Sequence, residues 1–147
     1  MGELGELDES QPFNLDDDDI SLRASIFGYN NYIYTPSYFI HLGQEKRREN
    51  KDYRWKYKYY FSGKLKPIIK NFEYRTIIFM VPLFLLKTLA KTTKQALFRL
   101  DPLIFGSLIY SIGLFFQDIQ DTLNKRKIIQ KNRKRKDRDI LKARFPI

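Results

Sequence analysis

Two stretches hold the residues whose types and spacing could do chemistry. Asp118 and Asp121 are three residues apart and could be drawn as a general acid and base, but nothing beside them supplies a nucleophile. They sit at the end of an apolar run, as helix-surface carboxylates would, and Asp121 is placed to pair with Lys125 one turn on. The second stretch, "DYRWKYKYYF" at 52–61, alternates Tyr53, Trp55, Tyr57, Tyr59 and Phe61 with Arg54, Lys56 and Lys58. An extended strand of this pattern has one aromatic and one cationic face. Three uses fit it: an arm packed on a neighbour, an anchor at lipid headgroups, or a surface that stacks on RNA bases and grips phosphates.

Other chemistry is sparse. The chain has no cysteine, which removes thiolate catalysis, disulfides and cysteine-ligated metals, and its one histidine, His41, leaves little for a metal site. No calcium loop, Gly-rich phosphate loop, GxSxG elbow or HExxH helix is present. The expectation is a protein that is not an enzyme, without catalytic residues, cofactor or metal.

The elements that must position these residues differ sharply in charge. Residues 1–22 carry eight acidic side chains and no basic one, whereas the rest carries 27 basic against nine acidic. A basic body calls for an anionic partner such as lipid headgroups, nucleic acid or an acidic protein surface. Residues 1–22 read as an acidic disordered or extended tail, with "LDDDD" repelling itself. That start has neither the basic nor the apolar region of a signal peptide, and Glu6 replaces the Ser or Thr of a myristoylation motif. Residues 23–66 read as an extended aromatic and basic arm, with turns at Asn30-Asn31 and Thr35-Pro36.

Residues 67–100 read as a helix, with Pro67 at its first position. Its uncharged run Thr76–Leu86 covers only about 16 Å against a hydrocarbon core of roughly 30 Å. Lys87, Lys91 and Lys94 then form one cationic stripe, so the helix crosses a bilayer only if those lysines snorkel and otherwise lies at the interface. Asp101-Pro102 signals a helix start, and no Gly or Pro occurs from Leu114 through Arg144. A continuous helix therefore fits, with residues 101–119 apolar and 120–147 charged.

Residues 102–117 are sixteen uncharged residues in a chain that is 30% charged. On a helical wheel Ile104, Phe105, Leu108, Ile109, Ile112, Phe115 and Phe116 share one side. Gly106, Ser107, Tyr110, Ser111, Gly113 and Gln117 share the other, small and without charge. A water-facing side would carry Lys, Glu or Asp. A membrane helix instead turns bulky residues to lipid and packs through small ones. Those six residues are thus the expected helix-packing face. Trp55, Tyr57, Lys87, Lys91, Lys94, Arg99, Lys125 and Arg126 are the expected interface or headgroup residues. The denser basic flank after Lys125, eleven basic against two acidic residues, leans the C-terminus to the cytosolic or matrix side.

The expected fold class is mainly α: one transmembrane helix at about 102–118 continuing into a long charged helix, a preceding amphipathic helix that leaves a second crossing open, and an extended N-terminal third. Over residues 67–144 this layout resembles small accessory subunits of mitochondrial inner-membrane respiratory complexes. The resemblance implies a non-catalytic role in assembly or stability, at the mitochondrial inner membrane. It also implies other subunits and anionic lipid, cardiolipin among them, as partners rather than nucleic acid. The competing reading is an RNA-binding organellar ribosomal protein, for which "KRKIIQKNRKRKDRDILKARF" would contact phosphates.

Overall fold

A computed structural model describes residues 4–11, 16–32, 34, 36, 38 and 53–144, without the side chains of 53–56, 143 and 144. His41 and Thr35 lie outside the described residues. The chain is mainly α, and the described residues contain no strand. Its helices are α1 (Asp16–Ile26), α2 (Tyr53–Asn71), α3 (Tyr74–Arg99), α4 (Leu103–Gln117), α5 (Ile119–Lys131) and α6 (Asp137–Arg144).

The acidic tail and the extended arm are each corrected in part: 16–26 and 53–66 are helical, while most of 33–52 lies outside the described residues. Four aspartates, Asp16 to Asp19, form the first turn of α1, where the positive end of the helix dipole favours them. The helix closes at Gly28, whose φ of 96° suits a residue without Cβ. There Tyr29 N–H donates to the Ala24 carbonyl and Gly28 N–H to that of Ser25. Residues 53–61 are helical, not extended. Phe61, Leu65 and Ile69 recur every four residues and make one apolar row against α4, a gain that alternation in a lone strand could not match. Pro67 lies inside α2, not at its start.

The long C-terminal helix is also corrected. It breaks at Asp118, where α4 and α5 are bent by 56°, and again between Lys131 and Asp137. At the first break Asp118 receives a buried lysine. At the second, the amides of Lys134 and Arg135 both donate to the Ile26 carbonyl at the end of α1. The start of α4 keeps its signal: Asp101 Oδ1 accepts the Leu103 amide at 3.1 Å.

α2 is the central helix. It packs most extensively on α4 and also touches α1, α3 and α5. Phe61 meets Phe115 of α4 edge-on and Phe84 of α3 at 5.7 Å, joining three helices at one point. A second cluster, Leu22, Ile26, Phe27, Phe72, Ile129 and Ile140, joins α1, α5 and α6 to the end of α2.

The helix long and apolar enough to cross a membrane by itself is α3, at 26 residues. The 15 residues of α4 meet that test only together with α5, across the bend. In α3 the buried residues are Thr88, Thr92 and Ala96, and in α4 they are Ile104, Ser107, Ser111 and Phe115. Small residues at four-residue spacing let neighbouring backbones approach. Ser111 is fully buried, and its Oγ accepts the Ser62 amide of α2 at 3.0 Å. A Cβ at Gly106 or Gly113 would meet nothing within 4 Å. Ser111→Leu should therefore cost about 1–3 kcal/mol by overpacking. Gly106→Leu should stay within about 0.5 kcal/mol, as read by thermal unfolding of the detergent-purified chain.

Candidate functional site

Each end of the central helix α2 belongs to a different environment. Its C-terminal end enters a buried cluster of charge. Lys70, 1% exposed, donates to Asp8 Oδ2 and, at 3.1 Å, to Asp19 Oδ2. Asp19, 0% exposed, also accepts from Arg23 and, at 2.7 Å, from Asn71 Nδ2. Asp8 Oδ1 takes the amide and hydroxyl of Ser10 and the ammonium of Lys125 at 2.7 Å. One turn earlier Lys66, also buried, reaches Asp118 and the Ser10 carbonyl. An unpaired buried charge is costly, so Lys66, Lys70, Asp8 and Asp19 each need a counter-charge and hydrogen bonds.

The last carbonyls of α2 are satisfied from α5 and the chain after it. Arg126 donates to the Ile69 and Phe72 carbonyls, Gln130 to those of Lys70 and Asn71, and Arg133 again to that of Asn71. Two guanidinium groups thus lie at the negative end of the helix dipole. Asp137 Oδ2 accepts the Glu73 amide at 2.7 Å, and Glu73 Oε2 accepts the Asp137 amide at 3.0 Å, which locks the α2–α3 corner to α6.

Beyond this polar head the surface of α3 and α4 is apolar. Only 11% of the most apolar stretch of α3 is buried. Ile78, Phe79, Leu83 and Leu86 of α3, and Ile109 and Phe116 of α4, face outward. Bulky apolar side chains left more than half exposed suit hydrocarbon better than water.

The expected packing face divides. Ser107 and Ser111 are buried within the chain, whereas Gly106, Tyr110, Gly113 and Gln117 are exposed. The reason is the position of α2, which covers the Ile104, Ser107, Ser111, Phe115 row rather than the face centred on the glycines. The headgroup residues divide too. Lys87, Lys91, Lys94 and Arg99 are exposed, and Lys91 Nζ lies 4.2 Å from the ring centre of Tyr60. Tyr57 is half-buried, and the Trp55 side chain lies outside the described residues. Lys125 and Arg126 are corrected: Lys125 pairs with Asp8 and Asp121, and Arg126 is buried under the Tyr74 ring at the end of α2. The charge row of α5 is used internally because α5 bends across the end of α2 instead of projecting away.

Among the described residues no group of three or more His, Asp or Glu side chains converges as a metal site. Asp8, Asp19, Lys66 and Lys70 had no signal in the sequence as a site, since Lys70 and Asp8 lie 62 residues apart. In comparisons with known proteins, the chain matches no family model, no curated protein and no solved structure.

Burial pushes the Asp8 carboxyl up, but the bonds from Lys125, Lys70 and Ser10 outweigh it and hold the group well below the usual carboxylate range. A depressed carboxylate stabilises the fold above its unfolded pKa and loses that contribution as pH falls toward its folded value. The head should therefore keep this contribution above about pH 4 and lose it progressively in stronger acid. Acid titration followed by circular dichroism checks this, and Asp8→Asn should flatten the profile. Lys70→Met leaves Asp8 and Asp19 without their shared cation and should cost about 3–5 kcal/mol in denaturant unfolding.

Proposed function

We propose that this chain is a non-catalytic integral membrane subunit that supports the assembly or stability of a large membrane complex, a respiratory-chain complex of the mitochondrial inner membrane. The observation that carries the membrane reading is the apolar, outward-facing surface of α3 and α4, set against a head in which charge is gathered and paired. Water would leave that surface exposed beyond what soluble monomers tolerate, and lipid would solvate it. The subunit role is supported by the layout: much of the chain is spent on tying helices together. The mitochondrial setting rests only on the layout read from the sequence at 67–144, whose long charged helix is replaced by the bent α5 and the separate α6.

In this reading the exposed small strip of Gly106, Tyr110, Gly113 and Gln117 receives a helix of a partner subunit, because bulky lipid-facing residues flank it. Exposed cations of the head, such as Lys127, Lys131, Lys136, Arg138 and Lys142, are the ones an RNA-binding protein would use. Extraction of membranes with alkaline carbonate and high salt separates the two. Retention in the pellet is expected, and release into the soluble fraction would contradict the membrane role and favour the ribosomal one. Gly106→Leu and Gly113→Leu should lower incorporation into the parent complex more than Ile109→Leu, measured by native electrophoresis. Equal incorporation of all three would remove the partner-helix strip.

A further inference from the structure

We infer that the head carries a binding surface for a single strand of nucleic acid, made by the cavity between the end of α1 and the α5–α6 loop together with the tyrosines beside it. The inference is independent of the membrane reading and adds a partner that the layout of the helices does not imply.

The cavity measures about 460 Å³ and is lined by Phe27, Lys131, Asn132, Arg133 and Lys134. Sites for small ligands run from roughly 300 to 1,000 Å³, so one nucleotide fits. Phe27 is the apolar member of the lining and is otherwise buried. Bonds on both sides hold the walls in place. The amides of Lys134 and Arg135 meet the Ile26 carbonyl, and Arg133 pairs with Asp137 at 2.9 Å. A ligand therefore finds the walls already ordered.

Tyrosines stand beside the cavity. Tyr29 and Tyr32 are 44% and 85% exposed. Arg135 fixes the turn that carries them: it donates to the carbonyls of Gly28 and Tyr29 and, at 2.9 Å, to Asn30 Oδ1. Asn30 Nδ2 in turn donates to the Tyr32 hydroxyl at 3.3 Å. An unbroken row of bonds thus joins the basic loop to an open tyrosine ring. Bases stack on such a ring whatever their identity, because every base has a π face.

Charge supplies the grip on phosphate. Residues 127–136 hold six basic side chains and no acidic one, and residues 20–38 hold no acidic one either. Two helices, α1 and α5, end here, and their last carbonyls draw donors and cations of their own. Arg135 and the loop amides serve the end of α1, and Asn132 Nδ2 serves the Ile128 carbonyl of α5. Lys127 and Lys131, one turn apart on α5, take no part in these bonds and are exposed. They extend the charge of the cavity into a track, which suits a strand of phosphates better than one isolated anion. Lipid headgroups would meet the same cations but leave the Tyr32 ring without a flat partner.

The test uses the full chain in uncharged detergent and the fluorescence anisotropy of a labelled oligouridylate. Binding that weakens with salt is expected. Tyr32→Ala should weaken it about tenfold, and Tyr32→Phe, which keeps the ring, should not. Lys131→Gln/Lys134→Gln should lower the slope of log affinity against log salt by about 1.4, for two phosphate contacts at about 0.7 each. Lys87→Gln/Lys94→Gln removes the same charge from α3 and should leave affinity and slope in place. No binding by the full chain, or an equal loss in the two double variants, would overturn the inference. Displacement of the oligomer by phosphatidylglycerol micelles, or by uridine monophosphate at equal phosphate concentration, would put a headgroup or a free nucleotide in place of the strand and also overturn it. Carbonate extraction is a separate readout, so the membrane reading stands or falls apart from this one.

Discussion

Lys70 places a positive charge where no water reaches it, and two carboxylates from the N-terminal segment, Asp8 and Asp19, close on it. Each of the three would be too costly to bury singly, so the position of one determines the positions of the others. Asp8 also holds Lys125, and Asp19 holds Arg23 and Asn71, so the same contact fixes α1 and α5 against α2. The acidic N-terminus is thereby the counter-charge of the basic body rather than a solvated appendage. Asp8 and Asp19 neutralise Lys70, whereas Lys66 is paired by Asp118 and the outer lysines of the head stay exposed.

The end of α2 shows the same economy in its backbone. Four successive carbonyls, from Ile69 to Phe72, receive side chains of Arg126, Gln130 and Arg133. Satisfying them from within the chain removes the need for water at the point where the apolar helices begin. A firm polar head next to outward-facing apolar helices is the division of labour that the proposed membrane role calls for. Ser107 and Ser111 let α2 approach α4 closely, and Thr88, Thr92 and Ala96 are the small buried residues of α3.

Local features were legible in the sequence and distant ones were not. The pairing of Asp121 with Lys125 is set by their spacing on one helix face, and it is present. The turn at Asp101-Pro102 and the apolar character of α3 and α4 were equally local. The alternation at 53–61 misled because a period-two reading stops at Phe61, whereas Leu65 and Ile69 extend Phe61 into a helical row. The wheel of 102–117 identified small residues as packing residues but chose the wrong centre, since the row that is buried depends on where α2 lies. Nothing local marks Lys66 and Lys70 for burial, and their partners are 52 and 62 residues away. The break at Asp118 depends on that same distant Lys66, so no helix-breaking residue announced it.

The central claim is that the outer faces of α3 and α4 are solvated by lipid while the ion-paired head is in water. Spin labels on single cysteines at Ile78, Leu83, Ile109 and Phe116 of the reconstituted full chain test it most directly, with Lys127 as the aqueous reference. The account predicts that oxygen relaxes the four helix labels strongly and a polar nickel reagent does so weakly, with the opposite order at Lys127. Helix labels as open to the nickel reagent as Lys127 would contradict it.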